Sequence, residues 1–317
     1  MNNSESAVIG IYTLTPLHMG TGQAARAIDL PVAREAHTGY PIIPATSLKG
    51  VARDICEQNG TTQQSINSIF GPDQETAADG GQAGDVIFSE AQLLALPFRS
   101  LNLPLAYCTS MQLLERFSRN LRLFGCENFL TLETHLQSLS DGTVHVSDEK
   151  LENHLLVIED MAFQNNEVNF SDAALAIARK LITLLPENET ATRARLQNSL
   201  IILPDLEFQS LAQRALPIQA RIKLTGEKGT AEITNMDGTK EKGNLWFEEY
   251  VCPDSLFACF IRKRPGSRAK ENPVTSFISS AFPDNHSFPV QMGGNETVGY
   301  GWCWWKNPQK QTTSSTQ

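Results

Sequence analysis

Apolar and polar positions alternate along this chain in patterns that predict a mixed fold. Ala7 to Thr15, AVIGIYTLT, is β-branched and aromatic and runs into Pro16, which reads as a strand and its end. From Ser47 the period changes: Leu48, Val51, Ala52, Ile55 and Cys56 recur at helical spacing. Ser47 is the expected N-cap, and Gly60 lies beyond the end. Lys49 and Arg53, four apart, share a face near that helix start and away from the apolar stripe. Asp85 to Leu96 opens as a strand, and Ser110 is placed to cap a helix through Leu123 with Met111, Leu114, Phe117, Ser118 and Leu121 on one face. Asp172 to Leu185 predicts a helix capped by Asp172 and ended by Pro186. Leu200 to Leu203 reads as a buried strand, Asp205 to Leu216 as a capped helix, and Ile218 to Leu224 as a further strand.

Strand, helix and strand recur in both halves, an order that suggests an α+β layer of the split βαβ kind. Three stretches stand outside it. Residues 71–84 are rich in Gly, Asp and Ala and read as a loop, while 128–169 mixes short apolar runs with charge and resembles an inserted subdomain. Residues 225–243 read as an exposed polar hairpin around an Asp237-Gly238 turn. From Lys306 onward the tail is polar and is expected to be disordered.

The chain's 317 residues carry a formal net charge of −9, which argues against a generic nucleic-acid binder, because phosphate contacts need a positive surface. Positive charge is locally dense in two places: Arg26, Arg34, Lys49 and Arg53, and the RKRPGSRAK run with Arg262, Lys263, Arg264, Arg268 and Lys270. No apolar run approaches the ~20 residues that span a bilayer. The polar start MNNSESA lacks the basic and apolar regions of an export signal, so a cytoplasmic location is expected. The six cysteines form no CxxC pair, and His135, His145 and His154 fit no common metal spacing, so solvated loop positions are expected for them. No P-loop, dinucleotide fingerprint or nucleophile elbow is present, and a metabolic enzyme gains nothing from the sequence. Gly293, Gly294, Gly299 and Gly301 lie in a glycine-rich loop where close backbone approach, including that of a phosphate, is allowed.

Six blocks carry a family resemblance: TPLHMGTG (Thr15–Gly22), IDLPVARE (Ile28–Glu35), HTGYPIIPATSLKG (His37–Gly50), IFG (Ile69–Gly71), NLWFEE (Asn244–Glu249) and GGNETVGYG (Gly293–Gly301). Together and in this order they resemble the RAMP superfamily of CRISPR-associated proteins, and within it the subunits that form the backbone of type III-B (Cmr) effector complexes. The resemblance implies one ferredoxin-like, RRM-type domain over 1–305 with an inserted helical subdomain and a β-hairpin thumb. Either 225–243 or a loop following Asp29 would be that thumb. It implies copies stacked on CRISPR guide RNA with other Cmr subunits, each cutting target RNA at regular intervals with a divalent ion, Mg²⁺ or Mn²⁺.

The position that matches the family's catalytic one is Asp29, which is also the expected metal ligand; on the residues alone it reads as a loop Asp capping its own backbone. His18 is a candidate proton shuttle, and Glu248 and Glu249 are candidates for acid–base or metal work. Ser47, Lys49, Arg53, Arg34, Gly293, Gly294, Thr297, Gly299 and Gly301 are the expected guide-RNA contacts. Two alternatives stay open: a scaffold of the same fold that holds RNA without cutting it, and a nuclease that processes guide precursors without metal.

Overall fold

The first strand, β1 (Ser6–Thr13), is buried along its whole length, which its unbroken apolar run requires: a strand covered on both faces has no side to leave polar. Ala7, Ile9 and Ile11 face one hydrophobic core and Val8 and Tyr12 a second, on opposite sides of the sheet. The computed structural model describes all residues except 1–4, 23–27, 73–82, 127–131, 224–231, 235–239, 243–244, 268, 284–286 and 309–317; for 232–234 and 240–242 it describes the backbone alone.

After β1 come α1 (Ala45–Gln58), α2 (Gln63–Phe70), β2 (Val86–Phe88), β3 (Gln92–Phe98), β4 (Ala106–Ser110), α3 (Met111–Leu123) and α4 (Glu133–Leu136). The middle holds β5 (Val144–Val146), β6 (Leu156–Ile158), β7 (Met161–Phe163), β8 (Val168–Phe170), α5 (Asp172–Leu181), α6 (Thr190–Asn198), β9 (Leu200–Leu203) and α7 (Asp205–Arg214). The last third holds β10 (Ile218–Ile222), β11 (Glu232–Thr234), β12 (Lys240–Lys242), β13 (Leu245–Glu249), β14 (Leu256–Lys263), α8 (Pro273–Ala281), β15 (Ser287–Gln291) and β16 (Trp302–Lys306). Ten strands form one mixed sheet in the order β15-β16-β1-β14-β3-β4-β9-β5-β8, with β2 on β14. Helices α1, α2, α7 and α8 cover one face and α3, α4, α5 and α6 the other. The α+β class expected from the sequence is the class observed.

Several local expectations shift. Helix α1 starts at Ala45 behind Pro44, with no side-chain cap, so Ser47 lies in its first turn and is not the N-cap. Proline supplies the extended backbone there and ends the preceding segment. Ser171, one residue before Asp172, caps α5 by accepting from Ala173 and Ala174 amides, and the α-helix closes at Leu181 into a 3-10 turn. Asp205 does not cap its own helix: its Oδ1 accepts from the Gln112 amide at 2.9 Å, in the first turn of α3. Ser110 does cap α3 as expected.

Within 128–169, β5 pairs with β9 and β8 with β5, so these strands extend the large sheet. His145 is buried in β5 and bonds to Ser140, not to solvent. Lys306, placed in the tail by the sequence reading, is buried in β16 with its ammonium on Glu187; the rest of that tail, from residue 309, lies outside the described residues. In the polar stretch 225–243, β11 and β12 pair antiparallel as expected, with the Asp237-Gly238 turn outside the described residues. Among the described residues no helix is long and apolar enough to cross a membrane.

Candidate nucleic-acid interface

Four segments separated in sequence are laced together at one end of β1. The loop after β1 bridges Leu17 to Val251 and Gly20 to Val32, and the IDLP segment runs parallel to β13 through a bridge from Leu30 to Glu248. The Leu30 amide donates to the Phe247 carbonyl and the Glu249 amide to the Leu30 carbonyl. Through this lacing the backbone amide of Phe247 donates to Asp29 Oδ2 at 2.8 Å. Asp29 thus caps a neighbouring strand and not its own loop. That amide is the carboxylate's one partner among the described residues, and the side chain stays partly exposed.

The two glutamates of NLWFEE differ from the solvated strand end that their position suggests, being 2% and 3% exposed. Glu249 Oε1 takes the Arg34 guanidinium at 2.5 Å and Oε2 the Val32 amide at 3.0 Å. Arg34 also donates to the carbonyls of Gly39 and Ala212 at 2.6 and 2.8 Å. A buried charge needs this complete a set of partners. Arg34, expected to grip RNA, has its guanidinium committed inside the protein. Glu248 lies against Arg221, Asn295 Nδ2 and, at 3.5 Å, His18 Nδ1. Arg221 in turn stacks over the Tyr300 ring at 4.9 Å from its centroid. Both glutamates hold the walls of the site together.

His18 is buried, and its Nδ1 lies 2.7 Å from the Glu249 carbonyl. A carbonyl only accepts, so Nδ1 carries a proton and Nε2 is the ring's other site. The glycine loop closes over this histidine: the Gly294 amide donates to the His18 carbonyl at 2.9 Å and the Gly301 amide to that of Pro16 at 2.8 Å. Two glycines there are sterically required. At Gly293, with φ +86, a Cβ would stand 2.6 Å from the His18 carbonyl oxygen; at Gly301, also φ +86, it would stand 1.9 Å from that of Met292. The freedom that the sequence reading assigned to cradling a phosphate is used at these positions for packing. Thr297 and Gly299 at the loop tip are exposed.

On α1, Arg53 bonds to Glu57 at 2.9 Å and to the Gly71 carbonyl at 3.0 Å, which ties α1 to the end of α2. Lys49 has no carboxylate partner among the described residues; burial and the adjacent Arg53 push its ammonium below the ordinary lysine range. Ser47 is half-buried beside it. The second basic run is largely spoken for, with Arg262 on the Leu123 carbonyl, Lys263 on Glu5 and Arg264 on Asp85. Arg26 and Arg268 lie outside the described residues. Sequence reasoning missed Arg221, Asn295 and Tyr300. The signals for them were an Arg amid exposed apolar residues in IQARI, and an Asn directly after two glycines, where a left-handed residue such as Asn295 with φ 64 belongs.

No metal site is preformed: among the described residues no group of three or more His, Cys, Asp and Glu side chains gathers as one. Asp29 by itself fits a hydrated divalent ion only where substrate phosphate oxygens complete the shell, which is a usual arrangement for Mg²⁺.

Comparison with known proteins agrees with this layout. The protein described as CRISPR system Cmr endoribonuclease Cmr4, from Pyrococcus furiosus, is 36% identical over 297 residues, covering 93% of this chain and 92% of that one. A crystal structure of oligomeric Cmr4 from Pyrococcus furiosus aligns with a TM-score of 0.68 at 29% identity, over 95% of this chain and 96% of the other. A chain in the cryo-EM structure of type III-B Cmr-beta bound to cognate target RNA shares the fold, with a TM-score of 0.72 at 21% identity over 96% and 97% of the two chains. The family model described as the RAMP superfamily matches residues 10–304, and the chain belongs to that superfamily.

Proposed function

We propose that this protein lies along a CRISPR guide RNA in the cytoplasm, beside other copies of itself and other Cmr subunits. There it cuts guide-paired target RNA at regular intervals, with Asp29 at the reacting centre. One observation carries the reading: of the three carboxylates brought together, Glu248 and Glu249 are enclosed by protein partners, and Asp29 alone keeps an oxygen for substrate while its other oxygen fixes its position. The similarity to a relative named an endoribonuclease, over nearly the whole chain, supports it.

RNA carries its own nucleophile. The 2′-oxygen attacks the adjoining phosphorus as the bond to the 5′-oxygen breaks, leaving a cyclic phosphate and a 5′-hydroxyl, provided the nucleotide is unstacked so that attack is in line. A carboxylate is ionised at neutral pH and is a poor general base. Asp29 is suited to holding a hydrated Mg²⁺ or Mn²⁺ against the scissile phosphate, whose developing charge the ion would neutralise when bound. His18, with Nδ1 fixed by the Glu249 carbonyl, is a proton carrier only through Nε2. Lys49, Ser47 and the exposed loop tip at Thr297 and Gly299 are the contacts left for the guide backbone.

Asp29→Asn keeps an oxygen for the Phe247 amide and removes the charge. The variant, purified with guide RNA and given matched target, is expected to retain both RNAs and yield no regular ladder of products. A ladder at the native rate overturns the assignment, and cleavage that survives chelation overturns the part given to the metal.

A further inference from the structure

The proton on His18 Nδ1 has two acceptors within reach. The Glu249 carbonyl is 2.7 Å away and Glu248 Oε1 is 3.5 Å away. A carboxylate is the stronger acceptor of the two, and a side chain that close needs only a small turn to take the proton. Two groups keep Glu248 from turning: Asn295 Nδ2 on Oε1, and Arg221, ion-paired to Oε2 through Nε. Arg221 is itself clamped. Its guanidinium lies over the Tyr300 ring, 4.9 Å from the centroid, and the Tyr300 hydroxyl donates to Gln219 Oε1 at 2.5 Å, two residues before Arg221 on β10. Arg221 Nη2 is buried with no hydrogen-bond partner among the described residues, so the ring and the carboxylate are what hold the group. The consequence falls on the other ring nitrogen. While Nδ1 stays on the Glu249 carbonyl, the imidazole is fixed to the strand whose Phe247 amide aims Asp29. Gly20 is exposed, and a Cβ on it would stand 2.7 Å from His18 Nε2, so glycine at this position leaves Nε2 room for a substrate atom.

We propose that Arg221, clamped by Tyr300, is a positioning residue for RNA cleavage: by holding Glu248 off the Nδ1 proton it keeps His18 on the Glu249 carbonyl, with Nε2 aimed past Gly20 at the 2′-hydroxyl of the target. The proposal rests on the reading of this protein as an RNA-cutting enzyme centred on Asp29. With its proton on Nδ1, the ring has a lone pair on Nε2. Nε2 takes the 2′-hydroxyl proton as the 2′-oxygen bonds to phosphorus and the bond to the 5′-oxygen breaks, and the departing 5′-oxygen takes its proton from water. Without Arg221, Glu248 turns onto Nδ1, the ring follows it, and Nε2 leaves the line of approach.

The test measures target affinity and single-turnover cleavage at saturating target by the guide-loaded complex. Arg221→Gln, Arg221→Lys and Tyr300→Leu are each made in the native chain and in a His18→Gln background, with Gly20→Ala alongside. Arg221→Gln is expected to slow cleavage about 10-fold to 100-fold, the cost of a displaced reacting group, with target affinity unchanged. Arg221→Lys is expected to lose less, because it keeps the charge on Oε2 and gives up only the planar stack. Tyr300→Leu leaves no buried charge unpaired, so it tests the clamp even where Arg221→Gln does not fold, and it is expected to slow cleavage about 3-fold to 10-fold. In the His18→Gln background none of the three should cost anything more, since groups that act as a unit are not additive. An arginine with a purely structural role costs the same in both backgrounds, and that result overturns the proposal. Native-rate cutting by Gly20→Ala, whose methyl fills the approach to Nε2, or by Tyr300→Leu together with Arg221→Gln, overturns it as well. Asp29→Asn separates the two readings: if it cuts like the native protein, the assignment of Asp29 falls; if it is inert while the Arg221, Tyr300 and Gly20 variants are silent, only the positioning role falls.

Discussion

Glu249→Ala separates a wall residue from a reacting one. The substitution strips Arg34 of its carboxylate, 2.5 Å away, and the Val32 amide of its acceptor. Arg34 cannot turn to water, because the Gly39 and Ala212 carbonyls still hold its Nη1. Removing one member of a buried pair costs about 3–5 kcal/mol, and the stranded amide adds to this. The Arg34 side chain is 20% exposed, so water relieves part of the charge, and we take about 3–4 kcal/mol. With an unfolding entropy of about 2.1 cal/mol/K per residue, the 317 residues give roughly 0.7 kcal/mol/K, hence a fall in Tm of about 4–6 °C. Calorimetry measures it directly. The double variant Arg34→Met with Glu249→Leu, which leaves no unpaired charge, should recover more than half of the loss. A Glu249→Ala protein that melts within about 1 °C of native, yet no longer cuts, would refute the wall assignment and return Glu249 to the chemistry.

The other predictions are of the same kind. Gly301→Ala and Gly299→Ala both place a side chain at φ +86, but only the former meets backbone, at 1.9 Å. Chemical denaturation should show about 1–2 kcal/mol lost at Gly299 and at least about 2 kcal/mol more at Gly301. Lys49, with its ammonium pushed down by burial and Arg53, binds phosphate only while protonated, so guide affinity should fall as pH rises, starting below the ordinary ~10.4 of lysine. Lys49→Arg should remove that fall, and Lys49→Glu should weaken binding and flatten its dependence on log salt. Burial lifts the Cys56 and Cys259 thiols to about 12 and that of Cys252 to about 11. At pH 8 these should resist iodoacetamide in the native protein and react in denaturant, since only the thiolate attacks.

The strands and helices that sequence patterning located are those with one decisive signal. Leu200 to Leu203 is buried on both faces and has no polar position to confuse the reading. Ser110 caps α3 because its backbone is extended just before the first turn, where its hydroxyl accepts from the Leu113 amide. Helix α6 escaped notice because Thr190–Asn198 buries only Leu196 and has no apolar face to betray it. The site was legible as a set of blocks and not as an arrangement. The spacing of Glu248 and Glu249 says nothing of the arginines that meet them, because Arg221 and Arg34 arrive from 27 and 215 residues away in sequence. Likewise, glycine at 293 and 301 announces backbone freedom without saying whether a phosphate or a carbonyl uses it.

The pairing of β1 bears on how the protein is made. Its two sheet neighbours are β14 and β16, contributed by residues 256–263 and 302–306. At about 5–20 residues per second of synthesis, the nascent first strand, apolar from Ala7 to Tyr12, waits roughly 10–50 s before either edge finds its partner. Contacts of such long sequence separation close slowly, so this chain completes its central ladder only near the end of translation. Meanwhile the newborn segment depends on the ribosome surface or a chaperone to stay out of aggregates.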